Sequence, residues 1–170
     1  MSEQREQKIS RILVAVDGSE ESMLAADCAI EMAKKNNAEL IALNVIHIKY
    51  LYSPSYVWRP VTPNTTNSII KNQEKEAQRW LAIVRKKAND NKIKLRTEFI
   101  IDPMSIVGAI VEYAERENID LLVIGSRGLT GFKKLLLGSV ASGVVTYAHC
   151  PVMVVKRITN ALKVTHSRSV

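Results

Sequence analysis

Apolar residues in this chain fall into two alternating patterns: short unbroken runs, and stripes that recur at three and four positions. RILVAV (11–16), ELIALNVI (39–46), LLVI (121–124) and PVMVV (151–155) are nearly continuous apolar runs, the signature of strands covered on both faces. LRTEFII (95–101) is a more polar run and reads as an edge strand. Pro151 fits the first position of the last strand, where a missing N–H matters least. Between these runs the period changes to that of helices. Met23, Leu24, Ala26, Ile30 and Ala33 mark a helix over 20–36, with Ser19 or Asp17 as its cap and Glu20 and Glu21 complementing its dipole. Ile70, Ala77, Trp80, Leu81 and Val84 mark one over 69–89, with Ser68 as its cap. Ile106, Ala109, Ile110 and Tyr113 mark one over 104–117, opened by Asp102 and Pro103, and a last helix covers 139–148. The stretch 47–67 fits neither period. It carries Pro54, Pro60 and Pro63, which argue against a helix, and Tyr50, Tyr52, Tyr56 and Trp58. A loop of that length is either a functional lid or disordered, and Tyr56 and Trp58 could close over a ligand or meet a partner.

Strand and helix therefore alternate through five strands and four helices, and no repeat or linker divides them. This order predicts one α/β domain, an open, parallel, five-stranded Rossmann-like sheet with helices on both faces and right-handed crossovers. In such sheets ligands sit beyond the carboxyl ends of the strands, where the strand order reverses. The first strand, ending at Asp17, and the fourth, ending at Gly125, are the two that could flank that place.

The chemistry concentrates after the fourth strand. Gly125, Gly128 and Gly131 crowd one loop, a spacing that permits tightly turned or left-handed backbone. Gly138 and Ser139 then open the last helix. The first amides of a helix lack partners within it and lie at the positive end of its dipole, so a strand, a glycine loop and a helix start together make an anion site. Ser139 adds a hydroxyl. The loop is not a Walker A sequence, because Ser139 stands where that pattern requires lysine, and it lacks the G-x-G pair of the dinucleotide fingerprint.

Gly125, two residues, Gly128, nine residues, Gly138 and Ser139 together resemble the nucleotide-binding signature of the universal stress protein family, in its ATP-binding branch. ILVAVDGSE (12–20) resembles that family's opening strand and acidic turn, and the resemblance spans 9–157, leaving 158–170 as a basic tail. It implies the strand order third, second, first, fourth, fifth. It implies ATP as ligand, with Mg²⁺ or alternatively Mn²⁺, and a homodimer formed through the last strand. Position by position, Ala15, Val16, Asp17 and the backbone of Val45 would meet adenine and ribose. Ile124 and Gly125 would lie under the ribose, Gly128 would admit the phosphates, and Gly138, Ser139, Val140 and Ala141 would donate to them. Some members carry a hydroxyl where Ala141 stands, so that contact is lost or passes to Ser142. Asp17 is either a metal ligand acting through water or a helix cap. Arg127, Lys133 and Lys134 either neutralise phosphate or are simply solvated, and His47 and His149 read as polar loop residues, His47 near the pocket.

Composition adds limits. The 170 residues, 46% hydrophobic and 24% charged, suit one soluble domain with a sizeable core. No run approaches the roughly eighteen apolar residues of a membrane span, and MSEQREQKIS carries no apolar leader, so the expected location is the cytoplasm. Cys28 and Cys150 are expected as packed thiols. A net charge of +7 raises nucleic acid as a partner, yet the basic residues are dispersed and never interleave with aromatics. The basic end carrying Lys156, Arg157, Lys163, His166 and Arg168 reads as solvated. No residue is assigned a catalytic role, since no arginine finger, paired carboxylates or Ser/His/Asp constellation stands out. The expected function is a nucleotide-dependent stress-response or signalling module. The alternatives are a slow ATPase or phosphotransferase in the same pocket, and an interaction protein whose glycines only shape a loop.

Overall fold

The computed structural model describes residues 8–47, 63–102, 104–129 and 137–157. The aromatics between Tyr50 and Trp58, Gly131, Lys133, Lys134 and the tail from 158 onward lie outside the described residues. The elements are β1 (Arg11–Ala15), α1 (Glu20–Asn36), β2 (Glu39–His47), α2 (Pro63–Asp90), β3 (Leu95–Asp102), α3 (Ile106–Arg116), β4 (Leu121–Gly125), α4 (Ser139–Tyr147) and β5 (Val152–Val155). All strand pairs are parallel, in the order β3-β2-β1-β4-β5. The sequence order places β2 and β3 on one side of β1 and β4 and β5 on the other, so the switch falls between β1 and β4.

Alternation along each strand builds two cores. Ile12, Val14, Leu40, Ala42, Leu121 and Val123 pack on one face against Ala25, Ala26, Ala29, Ile30 and Ala33 of α1 and Leu81, Val84 and Ala88 of α2. Leu13, Ile41, Leu43, Leu122 and Ile124 point to the other face, against Ile110, Tyr113 and Ala114 of α3 and Ala141 and Val144 of α4. Because β1, β2 and β4 are covered on both sides, their sequences are apolar without alternation. At the edges the residues of β3 and β5 are mostly half-buried or exposed, as the polar RTEF segment implies. No helix among the described residues is long and apolar enough to cross a membrane.

Several boundaries differ from the periodic reading. α2 begins at Pro63, inside the stretch read as irregular, and Ser68 lies within the helix rather than at its cap. Proline at the first helical position removes no internal hydrogen bond, because the first amides have no partner to lose. α3 starts two residues later than expected and is capped by Ser105, whose hydroxyl accepts from Gly108 N at 3.0 Å. Asp102 ends β3 and holds the intervening turn, accepting from Met104 N at 2.6 Å and Ser105 N at 2.9 Å. Leu24 of α1 is exposed, since the helix turns its alanine side to the sheet. His47 is the last residue of β2, paired with Asp102, rather than a loop residue.

Candidate ligand site at the sheet switch point

Where β1 ends, Val16 keeps one further sheet bond, donating its N–H to Leu43 O at 2.9 Å. Buried Asn44 ties the same turn to β2, with Nδ2 donating to Val16 O at 2.7 Å. Gly18 then takes φ +85°, and the Trp80 ring lies so close that a Cβ there would meet Cε2 at 2.3 Å. Positive φ and the indole together demand glycine. Ser19 caps α1 by accepting from Ser22 N at 3.2 Å, so the cap reading of Asp17 is not what the structure shows. Asp17 accepts at Oδ1 from Ser19 N (2.9 Å) and Ser19 Oγ (2.6 Å), and at Oδ2 from Leu129 N (3.2 Å). It therefore binds the end of β1 to the glycine loop after β4.

Gly125 and Gly128 act through close approach rather than left-handed backbone, because among the described glycines Gly18 alone has positive φ. A Cβ on Gly125 would lie 2.7 Å from the carbonyl carbon of Glu21 and 2.8 Å from Ser22 N, which are backbone atoms of the first turn of α1. A Cβ on Gly128 would stand 2.7 Å from Asp17 Oδ2. Gly138 is the N-cap of α4, and among the described residues no side chain bonds the amides of its first turn. Ser126 links the two flanks: its N–H donates to Val155 O and its carbonyl accepts from Gly138 N, both at 2.7 Å. Its own hydroxyl is buried and has no partner among the described residues.

These pieces enclose a cavity of about 700 Å³ beyond the carboxyl ends of β1, β2 and β4. Ala15, Val16, Asp17, Val45, Ile124, Gly125, Arg127, Gly128, Gly138, Ser139, Val140 and Ala141 all line it. The residues selected from the sequence are thus brought to one place. Arg127 is not solvated: its Nη2 donates to Glu21 Oε1 at 2.8 Å, and the two side chains are 24% and 14% exposed. His47 also reaches the wall, its Nδ1 3.1 Å from Asp102 O, whereas His149 lies 3.7 Å from Glu115 and does not line the cavity.

Sequence reasoning missed one whole wall. Asn72, Gln73, Glu76 and Trp80 of α2 face the cavity, as do Ile106 and Ile110 of α3. Asn72, Glu76 and Trp80 are four apart, one stripe of the helix surface, and the polar residues interrupting that stripe in its first half were the available signal. Among the described residues no group of three or more His, Cys, Asp or Glu side chains gathers to hold a metal. Asp17 fits a narrower role, one carboxylate for a hard cation held mainly by ligand phosphates and water.

A family model described as the universal stress protein family matches residues 8–156. Universal stress protein MJ0531 of Methanocaldococcus jannaschii is 38% identical over 147 residues, covering 86% of this chain and 82% of that protein. Among solved structures, hypothetical protein MJ0577 superposes with a TM-score of 0.75 at 27% identity, over 89% of this chain and 99% of that one. A universal stress protein in complex with cAMP superposes with a TM-score of 0.62 at 25% identity, over 88% of this chain and 98% of that one.

Proposed function

This chain belongs to the universal stress protein family, and from that premise we propose that it is a nucleotide-binding stress-response or signalling module that takes ATP with Mg²⁺ in the cavity at the switch point. The carrying observation is the convergence of Asp17, Val45, Gly128 and the α4 N-terminus on one cavity of nucleotide size. The apolar part, Ala15, Val16, Val45, Ile106 and Ile124, is suited to a base and ribose. The first turn of α4 is suited to phosphate, because its amides and dipole favour an anion without a lysine. A solved relative in complex with cAMP supports an adenine nucleotide as the ligand class. Mg²⁺ would be met by Asp17 and would offset the charge of the phosphates. Binding alters the shape or partners of the domain, and this is the signal.

Two finer statements belong to the same reading. The protein is a homodimer through β5, a short edge strand of half-buried residues whose outer backbone groups invite a second copy. It acts in the cytoplasm, where the free thiols of Cys28 and Cys150 stay reduced. The test is mass spectrometry of the denatured, freshly purified protein, followed by titration with ATP and Mg²⁺. Release of adenine nucleotide, or micromolar binding that Gly128→Val abolishes, is expected; no binding to either protein refutes the proposal. Sedimentation at micromolar concentration should give a dimer, and monomer alone removes the β5 interface.

A further inference from the structure

The chain carries a net charge of +7, yet among the described residues little of that charge reaches the cavity. Among the described lining residues Arg127 is the only lysine or arginine, while Asp17 and Glu76 are both carboxylates. Arg127 is moreover already engaged. Glu21, in the first turn of α1, is only 14% exposed and receives the Arg127 Nη2 hydrogen bond at 2.8 Å. The close packing of Gly125 against Glu21 and Ser22 brings that turn beside the loop, so the pairing is built into the fold.

We propose that Glu21 makes the hold of this pocket on a triphosphate depend on a divalent cation. The proposal rests on the nucleotide-binding reading above and assigns to that site a residue that does not itself line the cavity. Among the described residues, Asp17, Glu21 and Arg127 sum to one negative charge around Gly128. A single phosphate is served by the neutral amides at the start of α4, so a monophosphate needs no cation. Each further phosphate extends toward a cluster whose one positive group among the described residues is already balanced by Glu21, and repulsion in a partly desolvated site is weakly screened. A divalent cation, which Asp17 would help to hold, would reverse that sign. Glu21 thereby separates metal-loaded triphosphate from the free anion.

Glu21→Gln tests this with little change of shape, because the amide oxygen still accepts from Arg127 while the charge is gone. Calorimetric titrations of the full chain use ATP and AMP, each with excess Mg²⁺ and with EDTA. For the wild type, removing Mg²⁺ should weaken ATP by tenfold or more and leave AMP within about twofold. Glu21→Gln should recover about tenfold of the Mg²⁺-free ATP affinity. Arg127→Gln, which leaves Glu21 unopposed, should widen the wild-type ratio, so the idea stays testable if the first variant does not fold. An unchanged Mg²⁺ ratio in Glu21→Gln, or a wild type that binds ATP equally with and without Mg²⁺, overturns this inference while leaving nucleotide binding intact. A wild type that binds no nucleotide under either condition overturns both.

Discussion

Three glycines of one motif should respond differently to the same added methyl group. In Gly125→Ala the new Cβ meets Glu21 C at 2.7 Å, Ser22 N at 2.8 Å and Glu21 O at 2.9 Å, against an ordinary carbon contact of about 3.5–4.0 Å. These are backbone atoms of a turn fixed by the Ser19 cap, so no side chain can swing aside. Either α1 or β4 must retreat by roughly 1 Å, an overpacking cost of about 3 kcal/mol. For a chain of this length that lowers Tm by about 6–12 °C. Gly128→Ala meets a movable group, Asp17 Oδ2 at 2.7 Å, and the cost is the Asp17 to Leu129 hydrogen bond, about 1 kcal/mol. Its Tm should fall by about 2–4 °C while ATP affinity falls more than tenfold. Gly138→Ala has its nearest neighbours at 3.4 Å and φ −71°, a conformation alanine adopts, so stability should stay within about 1 kcal/mol of the wild type. Thermal melts by circular dichroism, with ATP titrations alongside, give the ranking. A Gly125→Ala protein melting within 2 °C of wild type, or a Gly138→Ala protein falling as far as Gly125→Ala, would refute close packing as the reason for the spacing.

Other consequences can be measured independently. Trp80 lines the cavity, so in a Trp58→Phe background ATP should change the indole emission; a saturating ligand without spectral change would place it elsewhere. Burial, aided by Glu98, pushes the Tyr113 phenol up to about 12 against a weaker opposing pull from Arg96. The folded chain keeps that proton where the unfolded chain releases it near 10, so the stability is complete below pH 10 and declines as pH rises from about 10 to 12. Tyr113→Phe should flatten that alkaline decline in urea melts, and an unaltered slope would contradict the assignment. Ser105→Ala removes the α3 cap and should cost about 1 kcal/mol, or roughly 2–4 °C in Tm, with wild-type stability as the contrary result.

The type and order of the elements were legible in the chain because both signals are local. A strand covered on two faces must be apolar at every position, as Ile12 to Val14 and Leu121 to Val123 are, and a helix lying on a sheet must repeat at three and four. The strand order came from the family resemblance, and the parallel register agrees with it. The same resemblance pointed to residues from four separate segments, and the fold brings all of them around one cavity because the switch point lies between β1 and β4. Other features depended on what the fold sets side by side. Nothing near Gly125 in sequence indicates that the backbone of α1 fills the space of its missing side chain, and Arg127 is 106 positions from the Glu21 that engages it. The α2 wall was hidden for a related reason: Trp80 has the period of a core residue, and only the crossover of α2 over β2 and β3 decides that its stripe continues through Glu76 and Asn72 into the cavity. Periodicity fixes which face of an element is buried. What that face meets depends on register and crossover geometry, which no local pattern encodes.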